Sequence, residues 1–506
     1  MPQSSPLRPA RVLTALVLSA ALAVGGLGFA RTLVVMQSAD AATLDPSLNR
    51  ETSTFNVLIH LFDALIDKRP DGTYAPALAT DWTVTDGTVW DFTLRDDVTF
   101  HDGEPFTAEA VVFTIERLLD PATESPIAGG FAFIDDVEAT GEHAVRITTD
   151  GPAPLAEHYF SELLITPPHL LQDGDAEAFA RNPVGTGPFR FGAWQRDVAL
   201  ELVAYEDHWR GAPAVDGVEF RPVPEANTRV AAIQAGEADV VTQVPPTLAP
   251  VLDAAPGVRL EAVDGARAIY VGMNVTGGAD ALQDARVRRA LNLAVDVDAI
   301  VEGVLAGRGT PTTGFLTEVD FGYVPGSRPF GYDPDAARAL LAEAGFADGG
   351  PTLVLQSPNG RYVGDAAVAQ AVAEQLSDVG VDVELEIREY GAYVGDLFSG
   401  NAPDLYLIGW GNAPLDADFI YVPLLGTDEL LSYYADPDLD AALQAARSTV
   451  DRDARLAAYA DVQRHVDAEA PALFLYKPQD LYGVADDVDW TPRTDERIWM
   501  YAADVD

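Results

Sequence analysis

Histidine and carboxylate side chains are the groups in this sequence that could carry out acid–base or metal chemistry. The seven histidines are scattered along the chain, and none has the His-Glu-x-x-His spacing that puts two imidazoles on one helix face for zinc. His101 and Asp102 are adjacent in TFHDGEPF, but His-Asp-Gly in a loop is typical of a turn with a capping carboxylate. Because Asp and Glu total 79 residues, paired carboxylates alone do not indicate an active site.

The motifs of nucleophilic and phosphate chemistry are also absent from the sequence. There is no cysteine, and therefore no thiolate nucleophile, disulfide or thiolate metal site. No Gly-x-Ser-x-Gly elbow occurs. The only lysines, Lys68 and Lys477, follow Asp67 and Tyr476, which excludes a Gly-Lys phosphate loop. We therefore expect no catalytic residue, no metal and no cofactor.

Length and composition predict a folded protein of two or three domains. The chain has 506 residues, of which 48% are hydrophobic and 22% are charged, as in ordinary globular proteins. Its 79 acidic residues outnumber the 32 basic ones, and such a chain repels phosphate backbones and anionic lipid surfaces. We expect no nucleic acid partner and no membrane-surface partner. The acidity is interpreted as a solubility feature, with an acidic docking face as the alternative.

The first thirty residues have the pattern of an export signal. Arg8 and Arg11 precede an uncharged run from Val12 to Ala30 that ends in Gly-Phe-Ala, which is typical of a secretory signal peptide. We expect cleavage after about Ala30 and a periplasmic protein, with a mature net charge of 30 − 79 = −49. An uncleaved anchor is the alternative, because the run of 19 residues nears membrane-spanning length.

Apolar segments predict strands and helices in alternation. A helix is expected in TAEAVVFTIERLLD after Thr107. Residues 351–390 form a strand–loop–helix–strand unit, which predicts two parallel strands with a right-handed crossover. Further strands are expected in RTLVVMQSA, GVRLEAV, ARAIYVGMNV, APDLYLIGW and PALFLYKPQDLYGV. We predict an α/β fold of two lobes with a mixed sheet in each.

Two loops at the ends of strands are the centre of the candidate ligand site. Ligands of α/β sheets bind beyond the carboxyl ends of parallel strands, and QSPNGRY and GWGNAPLDAD follow the strands at 352–356 and 404–408. If both strands belong to one sheet, the two loops lie at the same edge, facing a cleft. The candidate residues come from these loops, the polar loop after the first strand, and ARAIYVGMNV: Asn359, Arg361, Trp410, Asn412, Asp416, Asp418, Asn49, Thr52, Tyr270 and Asn274.

The side chains of these two loops have alternative interpretations. Trp410, between two glycines, is interpreted as a pocket wall rather than as core, because glycines leave room for a ligand to approach. Arg361 is interpreted as a clamp for a ligand carboxylate, and the alternative is a surface ion pair with Asp365. Asp416 and Asp418 are either polar groups of the pocket or the start of a helix.

Several segments resemble a known family. They are residues 77–121, 182–196, 227–241, 273–311, 332–346 and 452–476, among them NPVGTGPFRFGAWQR and YDPDAARALLAEAGF. In these segments the chain resembles the family 5 extracellular solute-binding proteins, the peptide- and nickel-type receptors of ABC importers. The resemblance covers nearly the whole mature chain in the family's order. It implies the two-lobed periplasmic binding protein fold, with an inserted subdomain and a hinge of crossing strands.

The resemblance and the strand pattern together predict the domain boundaries. The first lobe is expected to comprise residues 31–70, 183–271 and 477–506, and the subdomain inserted in it residues 71–182. The second lobe is expected at 272–476. Chain crossings near 271–276 and 474–480 would form the hinge, where a few dihedral angles absorb lobe closure.

The resemblance implies a receptor and not an enzyme. Such a receptor is a monomer that captures peptides or peptide-like solutes, including glutathione-like ones, by lobe closure and delivers them to an ABC permease. In peptide receptors of the family, an aspartate three residues after the Gly-Trp tryptophan holds the ligand's amino group, and here that residue is Ala413. A free amino terminus is therefore disfavoured unless Asp416 substitutes. Nickel is disfavoured because the local loops contain no histidine.

Two other functions remain as alternatives. The first is an exported hydrolase or metalloenzyme on a similar α/β frame, and the second is a sensor or chaperone that uses the same cleft without transport. Stabilisation by a ligand without turnover would favour a receptor over an enzyme.

Overall fold

The computed structural model describes residues 31–49, 51–172, 174–325, 330–347, 349–429 and 431–505. The predicted signal peptide, residues 1–30, lies outside the described residues. The strands are β1 (Thr32–Gln37), β2 (Ile66–Lys68), β3 (Tyr74–Pro76), β4 (Ala79–Thr85), β5 (Val89–Leu94), β6 (Ile134–Gly141), β7 (Ala144–Thr149), β8 (Phe189–Gln195), β9 (Ala199–Ala204), β10 (Gly217–Pro222), β11 (Val240–Val241), β12 (Val258–Asp264), β13 (Arg267–Met273), β14 (Gly309–Pro311), β15 (Thr352–Pro358), β16 (Asp382–Arg388), β17 (Leu405–Gly411), β18 (Ala472–Ala485), β19 (Val488–Asp489) and β20 (Asp504–Val505).

The helices alternate with these strands through most of the chain. They are α1 (Thr52–Leu61), α2 (Ala108–Leu119), α3 (Ala156–Phe160), α4 (Pro168–Leu171), α5 (Ala176–Phe179), α6 (Ala226–Gln234), α7 (Ala249–Asp253), α8 (Ala285–Ala294), α9 (Val297–Leu305), α10 (Pro334–Glu343), α11 (Asp365–Asp378), α12 (Tyr390–Phe398), α13 (Asp418–Leu425), α14 (Pro437–Arg447) and α15 (Arg452–Glu469). In the part of the chain that the structure describes, no helix combines the length and hydrophobicity needed to cross a bilayer.

The described strands form one large mixed sheet, one four-stranded antiparallel sheet, and two two-stranded sheets, β2-β3 and β19-β20. The 12-stranded sheet has the order β16-β15-β17-β13-β18-β11-β1-β10-β9-β8, and β12 and β14 also pair with β18. In it β16, β15 and β17 are parallel neighbours, whereas β13 is antiparallel to β17 and to β18. The four-stranded sheet has the order β4-β5-β7-β6. The predicted mixed α/β architecture and the parallel pair around α11 are confirmed.

Separate hydrophobic cores define the parts of the molecule. We call the first lobe the part around a core that includes Leu33, Phe62, Phe189, Phe220 and Met500. The insert is the part around Trp90, Phe92, Phe106, Val111 and Phe160. The second lobe is the part around a core that begins at Ile269 and ends at Tyr476. A small fourth cluster, around Val230, Ile233, Val241, Leu252 and Leu481, contains residues of β11, α6, α7 and β18.

Two neighbouring chain segments cross between the lobes. The first part of β18 pairs with β13, and its second part, residues 479–485, pairs with β12. Gly265 and Ala266 separate β12 from β13. The strand predicted in ARAIYVGMNV packs in the second-lobe core from Ile269.

Candidate functional site

The loops after β15 and β17 lie at one edge of the second-lobe sheet. The two strands are parallel, with Leu355 opposite Leu405. The hydroxyl of Tyr362, in the loop after β15, donates to the carbonyl oxygen of Gly409 at 3.3 Å. The expectation that both strands belong to one sheet is confirmed, and the carboxyl ends of parallel strands form the kind of edge at which α/β proteins bind ligands.

Trp410 is half-buried near the end of β17. Its indole Nε1–H donates to the carbonyl oxygen of Phe419 at 2.8 Å, which fixes the ring against the loop that follows. The glycine before it makes room for the protein's own side chains, because a Cβ at Gly409 would lie 2.6 Å from Ile269 and 2.8 Å from Tyr362. The need for glycine at this position is therefore explained by packing.

Arg361 is exposed and lies against two aromatic rings. Its guanidinium carbon is 5.2 Å from the ring centre of Tyr362 and 5.4 Å from that of Tyr390. The carboxylate of Asp365 instead accepts backbone N–H groups, those of Gly360 and Arg361, both at 2.9 Å. Among the described residues no carboxylate forms an ion pair with the Arg361 guanidinium, so the surface pair with Asp365 is not the arrangement found. Cation–π contacts of this kind leave the N–H donors free for an anion.

The two acidic residues after β17 support the loop and the start of α13. Arg455 donates two hydrogen bonds to the carboxylate of Asp416, both at 2.7 Å, and both side chains are buried. Asp416 also accepts the backbone N–H of Asp418 at 2.9 Å, and Asp418 is the first residue of α13. The Tyr459 hydroxyl donates to Asp418 at 2.8 Å, and burial raises the pKa of that carboxyl. Of the two interpretations of Asp416 and Asp418, the start of a helix agrees with these contacts.

Asn412 and Asn274 hold loops of the second lobe. Asn412 is fully buried and donates to the carboxylate of Asp320 at 2.8 Å. Asn274 accepts the backbone N–H of Gly277 at 2.8 Å and donates to the carbonyl oxygen of Ala402 at 3.0 Å. Their polar atoms are therefore occupied by the protein itself.

The remaining candidate residues lie apart from one another. Tyr270 is in the second-lobe core, with its ring 5.0 Å from that of Phe315. Asn359 is exposed in the loop after β15. Asn49 is buried in the first lobe, and Thr52 is exposed at the start of α1. The structure brings together the loops that carry Arg361 and Trp410, whereas Thr52 begins α1, which packs in the first-lobe core.

The loop after β17 contacts the first lobe. The ammonium group of Lys68, at the end of β2, donates to the carbonyl oxygen of Ala413. Nearby, the Arg267 guanidinium of β13 lies 3.8 Å from the carboxylate of Glu496. The sheet edge that carries Trp410 therefore lies next to β2 and to the segment that carries Glu496.

Two cavities adjoin this contact. One of about 600 Å³ lies between the insert and the second lobe, and its lining includes Tyr74, Trp90, Glu157, Phe321, Asp416 and Arg455. The other, of about 410 Å³, is lined by Lys68 together with residues of the first lobe and the insert. Cavities of these volumes fall in the range of small-molecule sites.

The residues that hold the lobe contact have almost no local signal in the sequence. Lys68 and Ala413 are 345 residues apart, and Arg455 and Asp416 are 39 apart. The one available signal was composition, because Lys68 is one of two lysines in the chain. A residue type used so rarely is a candidate for a specific role.

The sequence His-Asp-Gly at residues 101–103 forms a turn, as predicted. Asp102 accepts the backbone N–H of Glu104 at 3.2 Å, and His101 Nε2 lies 2.9 Å from the carbonyl oxygen of Gly187. Burial lowers the pKa of His101 to about 4. Within the described ranges, no group of three or more His, Asp and Glu side chains is placed to hold a metal ion.

Comparison with known proteins identifies the family. The model of the bacterial extracellular solute-binding proteins, family 5 Middle, matches residues 73–430. The chain belongs to family 5 of the bacterial extracellular solute-binding proteins. The glutathione-binding protein GsiB of Pectobacterium atrosepticum is 30% identical over 480 residues, which cover 92% of each chain.

Solved structures show the same fold as this solute-binding protein. HbpA2 from Haemophilus parasuis matches with a TM-score of 0.85 and 23% identity over 94% of this chain and 100% of that one. The ABC transporter-associated periplasmic binding protein DppA from Helicobacter pylori, in complex with the peptide STSA, matches with a TM-score of 0.77 and 25% identity over 94% and 98%. The two-lobed binding-protein fold is confirmed, and these comparisons do not support the alternative of a hydrolase or metalloenzyme.

Proposed function

We propose that this solute-binding protein captures a peptide-like, carboxylate-bearing solute between its lobes and delivers it to an ABC permease, without catalysing a reaction. The carrying observation is the contact between the loop after β17 and the first lobe at Lys68, because it puts the carboxyl edge of the sheet in the cleft. The glutathione-binding relative and the peptide complex of the structural relative support a peptide-like solute.

Solute capture in this protein involves a movement of the lobes. The lobes, with the predicted boundaries at 70, 182, 271 and 476, move about the crossing strands and close on the solute as a monomer. The mature protein begins after about Ala30 and acts in the periplasm. Of the other predicted ligand contacts, Thr52 and Asn359 are exposed and stay part of the proposal.

A thermal-shift screen of the purified mature protein tests this function. The panel comprises glutathione, glutathione disulfide, and di- and tripeptides in free and N-acetylated forms, with product analysis after incubation. We expect stabilisation without turnover, and similar affinities for free and N-acetylated peptides because Ala413 offers no carboxylate to an amine. Turnover of any panel member, or no stabilisation by any of them, would contradict the proposal.

Arg361→Ala should weaken binding of carboxylate-bearing panel members selectively. The loss should be roughly 2 kcal/mol, about thirtyfold in Kd, because the solute carboxylate would lose charged N–H donors. Calorimetry with a peptide and its C-terminal amide measures the selectivity. Arg338→Ala, which removes an equally exposed arginine from α10, is the matched control. If Arg361→Ala loses equal affinity for the peptide acid and for its amide, Arg361 does not clamp the solute carboxylate.

Trp410→Ala should weaken binding of all panel members to a similar degree. A flat aromatic wall contributes contact area rather than charge recognition. The indole also fixes Phe419 through its hydrogen bond, so Trp410→Phe is needed as a variant that keeps a ring but loses the N–H donor. If Trp410→Phe binds as poorly as Trp410→Ala while both unfold at the same temperature, the hydrogen bond and not the wall is what matters.

A further inference from the structure

Lysine is the rarest cation in this protein, and both lysines are buried. The chain has two lysines among 32 basic residues, with exposures of 1% for Lys68 and 2% for Lys477. Lys477 forms an ion pair with Asp320 at 2.5 Å. Lys68 lies 3.8 Å from its nearest carboxylate, that of Asp495, and burial lowers its pKa to about 8. A buried ammonium in this position is stabilised only if something supplies the missing acceptors.

The contacts of Lys68 leave most of its hydrogen-bonding capacity unused. An ammonium group has three N–H donors, and in the described part of the chain one acceptor is assigned to it, the carbonyl oxygen of Ala413. The nearest carboxylate, Asp495, is 3.8 Å away. That carboxylate accepts two hydrogen bonds from Arg493, at 2.7 and 2.9 Å. Lys68 therefore shares an anion that is already occupied.

The Lys68 ammonium belongs to a cluster of three cations and two carboxylates. Lys68, Arg493 and Arg497 are opposed by Asp495 and Glu162, with Arg497 donating to Glu162 at 2.9 Å. The neighbouring His158, 3.9 Å from Glu162, is neutral at pH 7, because burial lowers its pKa to about 4.

The cavity beside this cluster is also lined by Arg69 and by three acids. Asp67 pairs with Arg210 at 3.0 Å. Asp63 accepts the Trp209 indole N–H at 2.9 Å. The third acid of the lining, Asp489, is exposed. The cavity is also lined by Phe62, Trp490 and Trp499, so apolar side chains lie in the same walls as Lys68.

We propose that the cavity beside Lys68 receives a carboxylate of the solute, and that this carboxylate accepts hydrogen bonds from the Lys68 ammonium. The inference rests on the proposed function and narrows the substrate class. With Arg361 at the opposite loop, it describes a solute with two carboxylates. A carboxylate in this cavity would accept the N–H donors that Lys68 does not use within the protein.

Calorimetry with matched probes tests the proposal on the full mature chain. The probes are N-acetyl-Ala-Glu, with two carboxylates, N-acetyl-Ala-Gln, with one, and glutarate as a minimal dicarboxylate. Wild type should prefer N-acetyl-Ala-Glu over N-acetyl-Ala-Gln at least tenfold, and Lys68→Met should reduce that preference to less than threefold. Arg181→Gln, which removes an exposed arginine outside the cavity, should keep the wild-type ratio. An unchanged ratio in Lys68→Met overturns the inference and leaves the proposed function intact.

Amine labelling provides a second measurement that does not depend on a stable variant. Because the mature chain has only Lys68 and Lys477, acetylation of the native protein followed by mass spectrometry reports on each lysine. Lys68 should be labelled faster than Lys477 in the free protein, and N-acetyl-Ala-Glu or glutarate should protect Lys68 at least tenfold. Binding of a probe by calorimetry without protection of Lys68 overturns the inference alone. If neither probe binds nor protects, the inference fails, and the wider peptide panel decides the proposed function separately.

Discussion

Asp416→Asn is expected to lower the free energy of unfolding by about 3–5 kcal/mol, because it leaves a buried guanidinium without its carboxylate. Arg455 and Asp416 have exposures of 6% and 9% and share two hydrogen bonds of 2.7 Å. The Arg455 guanidinium also lies 4.8 Å from the ring centre of Phe321. Urea unfolding at pH 7 measures the change in midpoint.

Two controls separate the buried pair from its parts. Replacing both partners, as in Asp416→Asn with Arg455→Met, should recover most of the loss, since neither charge then stays buried and unpaired. Arg338→Met breaks a pair with Asp335 that has a similar distance, 2.8 Å, but is exposed, and it should cost less than about 1 kcal/mol. If Asp416→Asn and Arg338→Met lower the free energy of unfolding equally, the buried pair of Arg455 and Asp416 contributes no more to stability than an exposed ion pair.

The architecture was predictable from the sequence where the pattern is local. The unit β15–α11–β16 is a strand, a helix with small residues and a second strand that follow one another closely in the sequence. Two parallel strands joined by such a helix take a right-handed crossover in nearly all proteins. Its strands are parallel in the structure, with Thr352 opposite Asp382. The same holds for β17, whose run from Leu405 to Ile408 is buried at every position.

The site was predictable only as far as the sheet edge. That Arg361 and Trp410 follow parallel strands could be read from strand order, but the partners of each polar side chain could not. Asp416 is engaged by Arg455 on α15, and no residue near either position signals the pair. A carboxylate in a loop has the same appearance in the sequence whether it faces a ligand or a buried arginine.

The glycine beside Trp410 illustrates a second limit. Other groups do approach Gly409 closely, but these groups are Ile269 and Tyr362 of the same lobe and not a ligand. Glycine reports that space is needed and gives no information on what fills it. For Lys68 the sequence gives no sign of a close approach. Its contact with Ala413 connects β2 to a loop 345 residues away, and the only signal is that lysine is rare in this chain.

Acidification from pH 6.5 to pH 4 is expected to destabilise the protein steeply, through its buried histidines. His60 is fully buried, and burial lowers its pKa to about 4 from 6.5. Its Nδ1–H donates to the carbonyl oxygen of Asn56 at 2.7 Å, and its Nε2 accepts the backbone N–H of Met500 at 3.0 Å. A second proton on the ring would break the bond to Met500 and leave a charge beside Phe189 and Phe220.

The sign of the effect follows from proton binding. Between pH 4 and 6.5 the unfolded chain protonates this histidine and the folded protein does not, so the stability contribution is complete above pH 6.5 and is lost as the pH falls to 4. One such group gives a slope of about 1.4 kcal/mol per pH unit, or roughly 3 kcal/mol over the interval. His158, whose pKa burial also lowers to about 4, adds in the same direction.

His60→Gln should therefore flatten the dependence of unfolding free energy on pH by about 1.4 kcal/mol per unit between pH 4.5 and 6. Its stability at pH 7 should be lower, because glutamine cannot make both ring contacts. Denaturant unfolding across that range, with wild type in the same buffers, measures the difference in slope. His143→Gln, which removes a histidine outside the core, is the matched control. A slope in His60→Gln equal to that of wild type would show that another group, and not the buried imidazole between Asn56 and Met500, takes up the proton on acid unfolding.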